Sequence, residues 1–167
     1  KRARRAIVTG GSRGIGLAIA RALAAAGDHV MIAGRDPEAL GRAVRSLRSA
    51  ATGQGSVESS VVDVRDRAAV TKLITGTAGR FGGLDTLINN AGVGVFASVA
   101  SMSDDDWARV IDTNLTGVFY CGRAAIPEMK RAGGGRDINI ASLAGRNYFP
   151  GGGPYWRAKA GPPRLRE

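Results

Sequence analysis

The run Ala6-Ile7-Val8 leads straight into Thr9-Gly10-Gly11-Ser12-Arg13-Gly14-Ile15-Gly16, and this junction constrains the fold more than any other stretch of the chain. Ala6 to Val8 reads as a short buried strand. Ile15, Ile19, Ala22, Leu23 and Ala26 then recur at helical spacing until Gly27 ends the pattern. The glycines therefore fall at a strand-to-helix turn. There they adopt backbone angles that a β-carbon forbids and let the chain approach a pyrophosphate closely, while the first helical amides remain free to donate to it. The same glycines without a strand before them and a helix after them would carry little information.

The rest of the chain repeats the alternation. A strand at 29–33 precedes a helix that Asp36 caps and Pro37 begins, with Leu40, Val44 and Leu47 inward. A third strand spans 57–62, a helix spans 68–81 with Val70, Leu73, Ile74 and Ala78 inward, and a fourth strand spans 84–88. A long helix is expected from about Asp104 to Lys130, capped by Ser103, with Asp104, Asp105 and Asp106 favoured in its first turn by the helix dipole. A fifth strand is expected at 138–141, and a helix from Tyr155 to Ala160 that Pro162-Pro163 stops. Strands and helices in this order call for an α/β fold, a parallel sheet covered by helices on both faces, in one domain over residues 1–167.

Composition narrows the function. With 44% hydrophobic and 23% charged residues the 167-residue chain can bury a substantial core. No apolar run approaches the roughly 20 residues needed to cross a bilayer, and Lys1 to Arg5 lack the hydrophobic segment of a secretory signal, so no membrane association and a cytoplasmic location are expected. The formal charge of +10 suits nucleic acid or an anionic cofactor and substrate. The arginines are scattered and not interleaved with aromatics, which argues against nucleic acid and leaves the Lys1 to Arg5 cluster as a solvated arm. Cys121, the single cysteine, sits in an apolar helical run as a structural thiol. No histidine or cysteine cluster joins Asp104 to Asp106, so no metal is expected there.

Several residues fall at the carboxyl ends of strands, the edge where open α/β sheets collect ligands. After the second strand come Gly34 and Arg35, where an acidic residue would bind a ribose 2′-hydroxyl. Arg35, with Arg13 in the glycine loop, would instead pair with a 2′-phosphate, which favours NADP(H) over NAD(H). Asp63, followed by Val64, ends the third strand and can accept from an adenine amino group. Asn89-Asn90-Ala91-Gly92 ends the fourth, where Asn90 can tie neighbouring loops; either stretch could also be a simple turn. Tyr155 and Lys159 stand one helical turn apart on one face. A nearby ammonium favours the phenolate of a side chain whose ordinary pKa is about 10. Ser142 follows the fifth strand on the same edge. Asn114 lies mid-helix among poor helix formers, Asp112-Thr113-Asn114-Leu115-Thr116-Gly117, where a local break would free a carbonyl to hold water or the Asn would simply face solvent.

Taken together, these motifs and the thirteen-residue step from Ser142 to Tyr155 resemble the short-chain dehydrogenase/reductase family. The resemblance spans nearly the whole chain and implies a Rossmann-type doubly wound sheet of strand order 3-2-1-4-5. It implies that Tyr155 is the general acid/base, that Ser142 polarises the carbonyl, and that Lys159 lowers the tyrosine pKa and binds the nicotinamide ribose. Asn114 would position a relay water. Gly10, Ser12, Arg13, Gly14, Ile15, Gly16, Arg35, Asp63, Val64, Asn90, Ala91 and Gly92 would hold the dinucleotide. The implied reaction is hydride transfer between nicotinamide and a carbonyl or secondary alcohol carbon, without metal. The pattern looks most like the 3-oxoacyl-acyl-carrier-protein reductase group, whose acidic carrier suits a basic surface, and the intact parent is expected to be a homo-oligomer.

The alternatives are a non-catalytic NADP-binding protein and an inactive fragment of such a reductase. The family continues well past the Tyr/Lys helix, and Gly161 to Glu167 continue that helix poorly. Truncation or a shifted reading frame is therefore expected, and with it little turnover from these 167 residues alone. Asp137 occupies a place where the fifth strand would be apolar. Burying it unpaired would cost several kcal/mol, so it is expected at the strand's exposed start or paired with Arg136 or Arg131.

Overall fold

The computed structural model describes residues 2–147 and 151–161. Five parallel strands, β1 (Arg5–Thr9), β2 (His29–Gly34), β3 (Val57–Val61), β4 (Thr86–Asn89) and β5 (Arg136–Asn139), stand in the order β3-β2-β1-β4-β5. Between them lie α1 (Gly14–Ala25), α2 (Pro37–Arg48), α3 (Arg67–Phe81), α4 (Asp104–Ile111) and α5 (Gly117–Arg131), and α6 (Gly153–Ala160) follows β5. Successive residues of the strands feed two separate cores. Ile7, Met31 and Leu87 pack with Leu73, Ile74, Cys121 and Ala125 of α3 and α5. Val8, Ile32 and Ile88 pack with Ala20, Ala24, Leu40, Val44 and Leu47 of α1 and α2. This two-faced burial makes the sheet doubly wound, and its strand order reverses between β1 and β4, where the carboxyl ends open a crevice.

Side-chain caps explain where three of the first four helices start. Asp36 accepts from the Glu38 and Ala39 amides, Asp66 from those of Ala68 and Ala69, and Ser103 from that of Asp106, each cap contributing about 1 kcal/mol. Among these four, α1 differs: Arg13 precedes it and gives no side-chain cap. No helix of the described residues is long and apolar enough to cross a membrane.

Three expectations change. The buried face of α1 is Gly16, Ala20 and Ala24, whereas Ile15 is 64% exposed and Ala22 and Ala26 face solvent. Small residues win that face because the helix lies close against the sheet. β5 begins two residues earlier than its apolar pattern indicates, because the Arg136 amide already donates to the Asp85 carbonyl. The basic N-terminus is not a solvated arm: Arg5 opens β1 and is buried, Arg2 and Arg5 both pair with Asp85, and Arg4 pairs with Asp28. Lys1 and the stop at Pro162-Pro163 lie outside the described residues.

Asp137 stands exposed at the second residue of β5, one of the two placements expected for it, and pairs with neither Arg136 nor Arg131. Its Oδ1 accepts from Asn89 Nδ2 at 2.8 Å, while Arg131 pairs with Glu128. The carboxyl points toward α5, with Oδ2 3.0 Å from where a Cβ on Gly122 would sit, and burial there pushes its pKa up while the Asn89 bond opposes. Asn89 Nδ2 also donates to Asn139, and Asn89 Oδ1 is buried with no hydrogen-bond partner among the described residues. Cys121, buried on the same side of the sheet, has its thiol pushed up to about 12 by burial and by the Asp137 charge.

Candidate active site

The glycine loop owes its shape to three close approaches. Gly10 and Gly14 take positive φ, 64° and 55°, angles that L side chains rarely adopt. A Cβ on Gly16 would sit 2.3 Å from the Gly10 carbonyl oxygen and 2.4 Å from Asn90 Nδ2, and one on Gly11 would meet the Ile32 side chain at 2.8 Å. Gly14 has nothing within 4 Å of its missing Cβ, so the loop is tight on its inner side and open on its outer side. The uncapped amides at the start of α1 face the same loop. This is a cradle that fits a pyrophosphate.

Thr9 and Asn90 join this loop to the turn after β4. Thr9 Oγ1 donates to the Ile88 carbonyl (3.2 Å) and accepts from the Asn90 and Ala91 amides at 3.0 and 3.1 Å. Asn90 Nδ2 donates in return to the carbonyls of Thr9 and Gly10, at 3.0 and 3.1 Å.

Asn114 does not face solvent. It is fully buried in Asp112–Thr116, a wider π turn between α4 and α5. Its side chain satisfies both backbone groups of Val93, accepting from the amide at 2.9 Å and donating to the carbonyl at 2.7 Å. The poor helix formers do interrupt the long helix, and the gap is filled by this side chain gripping the loop after β4. A Cβ on Gly92 would stand 2.9 Å from Asn114 Oδ1 and 3.6 Å from Lys159 Nζ.

Lys159 is buried on α6 and donates to the Ile140 carbonyl at 2.8 Å; burial pushes its pKa down. Its ammonium lies 6.0 Å from the centroid of the Tyr155 ring. Phe96, 61% exposed, meets that ring edge-on with centroids 5.7 Å apart. Ser142 opens a short 3-10 turn, Leu143–Gly145, where its hydroxyl accepts from the Ala144 amide at 3.2 Å. This turn packs against α6: a Cβ on Gly145 would be 2.5 Å from the Lys159 carbonyl.

At the far end of the crevice, Arg13 and Arg35 are exposed and Gly34 lies near Ser12, whose hydroxyl is 3.7 Å from a hypothetical Gly34 Cβ. Val64 is buried and packs against Gly117, while Asp63 is gripped by Arg65.

The structure thus gathers the glycine loop, Asn90 to Gly92, Asn114, Ser142, Tyr155 and Lys159 at one edge of the sheet, with Arg35 and Asp63 further along it. Sequence reasoning missed Thr9, Arg65 and Phe96. Thr9 was detectable as the hydroxyl closing the first strand; Phe96, in an irregular loop, carries no such signal. A hollow of about 420 Å³ lies elsewhere, between the C-terminal ends of α3 and α5 beside Glu128 and Arg131, and none of these site residues lines it.

A family model described as short chain dehydrogenase matches residues 4–165. A 3-oxoacyl-acyl-carrier-protein reductase from Chlamydia trachomatis is 39% identical over 156 residues, covering 93% of this chain and 62% of the relative. An actinorhodin polyketide ketoreductase variant solved with NADPH superimposes with a TM-score of 0.90 at 35% identity, over 95% of this chain and 60% of that one. An NAD+-bound xylitol dehydrogenase gives 0.88 at 35% identity, over 94% and 60%. The chain therefore spans about three fifths of the length of these relatives.

Proposed function

The chain belongs to the short chain dehydrogenase family, and on that footing we propose that it carries the cofactor site and catalytic groups of an NADP(H)-dependent oxidoreductase acting on a carbonyl or secondary alcohol carbon. One observation carries this reading: Asn90 Nδ2 donates to the Gly10 carbonyl of the glycine loop, and two residues further on Lys159 Nζ lies 3.6 Å from where a Cβ on Gly92 would sit, one helical turn from Tyr155. The phosphate cradle and the phenol-ammonium pair share one crevice.

The glycine loop and the first amides of α1 would hold the pyrophosphate, Asp63 and Val64 the adenine, and Asn90 to Gly92 with Lys159 the nicotinamide half. When bound, the nicotinamide supplies or accepts the hydride. Tyr155 gives its hydroxyl proton to the substrate oxygen in reduction and takes it back in oxidation. Lys159, fixed by Ile140, places a positive charge beside the phenol as its proton leaves. Ser142 orients the carbonyl through its hydroxyl, whose oxygen accepts from the Ala144 amide while its own hydrogen remains to donate toward the substrate. Asn114 holds the Val93 segment in place and lies beside Lys159, where it can hold a water on the proton path.

Arg13 and Arg35 favour the 2′-phosphate of NADP(H), a preference supported by the NADPH-bound ketoreductase, although the NAD+-bound xylitol dehydrogenase has the same fold. A 3-oxoacyl group on an acidic carrier is the substrate that the Chlamydia relative and the charge of +10 support. Trp107 on α4 and Phe119 on α5, large hydrophobic side chains 44% and 45% exposed, support homo-oligomer formation. NADPH oxidation with an acetoacetyl thioester tests the reading. Tyr155→Phe should abolish turnover while NADPH binding stays nearly unchanged; a chain that binds neither NADPH nor NADH would overturn it.

A further inference from the structure

The corner at the adenosine end contains more charge than the cofactor reading uses. Gly34 and Val61 are register partners, and the Val62 amide donates to the Gly34 carbonyl at 2.8 Å. Arg35 and Asp63 consequently leave adjacent strands side by side. Two opposite charges so placed would be expected to pair, yet among the described residues Arg35 makes no hydrogen bond or ion pair. Asp63 is taken by Arg65 instead. The Arg65 amide donates to Asp63 Oδ1 at 3.0 Å, Nε donates to both carboxylate oxygens at 3.1 and 3.0 Å, and Nη2 donates to Oδ2 at 2.7 Å. The Arg65 side-chain bonds hold the Asp63 carboxyl below the usual range against the effect of burial, and the Arg35 charge adds a weaker pull.

We propose that Arg65 is a positioning residue for cofactor choice: by occupying the Asp63 carboxylate it keeps the Arg35 guanidinium free for the 2′-phosphate of the adenosine ribose. The proposal rests on the NADP(H) reading of the site. A guanidinium fork suits a carboxylate as well as a phosphate, so a bare Asp63 beside Arg35 would compete with the ligand for the same donors and would repel its negative charge. Arg65 removes both effects. Its backbone bond to Asp63 belongs to a local turn that leads into the Asp66 cap of α3, so the arrangement is set by the fold before any ligand arrives.

Calorimetric titration of the chain with ADP-ribose and with its 2′-phosphate derivative tests this, since neither ligand needs the nicotinamide end. The unmutated chain should prefer the 2′-phosphate derivative. Arg65→Ala should lower that preference roughly threefold or more, the scale of one partly exposed charge pair, and leave ADP-ribose affinity nearly constant. Adding Asp63→Asn to Arg65→Ala should restore the preference, because an uncharged amide no longer draws Arg35 away. A purely structural role would weaken both ligands together and would not be rescued. An unchanged preference in Arg65→Ala, a parallel loss of both ligands, or a loss that Asp63→Asn does not reverse would overturn the proposal. Equal affinity of the unmutated chain for the two ligands would instead remove the NADP(H) reading, before any variant is made.

Discussion

Lys159 donates to the carbonyl of Ile140 across 2.8 Å and so ties α6 to the chain leaving β5. The bond fixes a buried ammonium beside the Tyr155 ring, and it leaves the remaining ammonium protons available to a ribose or a water. Lys159→Met retains the stem and loses the charge. It should reduce turnover by about two orders of magnitude or more and weaken NADPH binding as well, whereas Tyr155→Phe should lose turnover alone. Steady-state rates paired with NADPH titration distinguish the two variants.

Gly16 and Gly14 should respond differently to alanine. At Gly16 the new Cβ meets the Gly10 carbonyl and Asn90 Nδ2, both held by the rest of the turn, so Gly16→Ala should displace the loop and reduce NADPH affinity at least tenfold. Gly14→Ala meets open space and bears only the strain of φ 55°, about 1 kcal/mol. Thermal unfolding and ligand titration of both variants would expose the contrast.

Removing the Asn114 amide should release the loop after β4. Asn114→Ala leaves the Val93 amide and carbonyl without their partner, at a cost of about 2 kcal/mol. Asn114→Asp retains an acceptor for the amide but sets a carboxylate oxygen against the carbonyl. Hydrogen exchange at the Val93 amide should quicken markedly in Asn114→Ala and less in Asn114→Asp.

Acid should weaken the fold through Asp85. The Arg5 hydrogen bonds pull this carboxyl down to about 2 against burial, and the side chain is only 11% exposed. A carboxyl whose folded pKa lies below its unfolded value of about 4 stabilises fully above that value and loses the contribution as pH falls toward 2. After allowance for screening this is about 1 kcal/mol. Urea unfolding should show the loss between about pH 5 and 2, and Asp85→Asn should be weaker at neutral pH with that part of the acid dependence gone.

Whereas the strand order came only with the family resemblance, the order of elements was legible because each apolar run ends in a turn residue or a cap, as at Asp36 and Ser103. The sheet edge that gathers the site was legible for the same reason. The features that escaped depend on distance between elements. Nothing in the spacing of α1 reveals that the helix lies so near the sheet that Gly16, Ala20 and Ala24 must face it. Asp137 meets Asn89 because successive strand residues face opposite sides of the sheet, which puts Arg136 on the other face, while Arg131 is already paired with Glu128. At Asn114 the weak helix formers were visible, but the partner at Val93 lies 21 residues earlier in the chain.

The π turn at Asp112–Thr116 also sets the rotational phase of α5. Each residue advances a helix by about 100°, so deleting one residue from this segment would close the wide turn and swing Cys121, Ala125 and Met129 about a quarter turn away from α3. The length of the segment is therefore as much a determinant of the core as its composition, and a single-residue deletion there should be far more damaging than any surface substitution on α5.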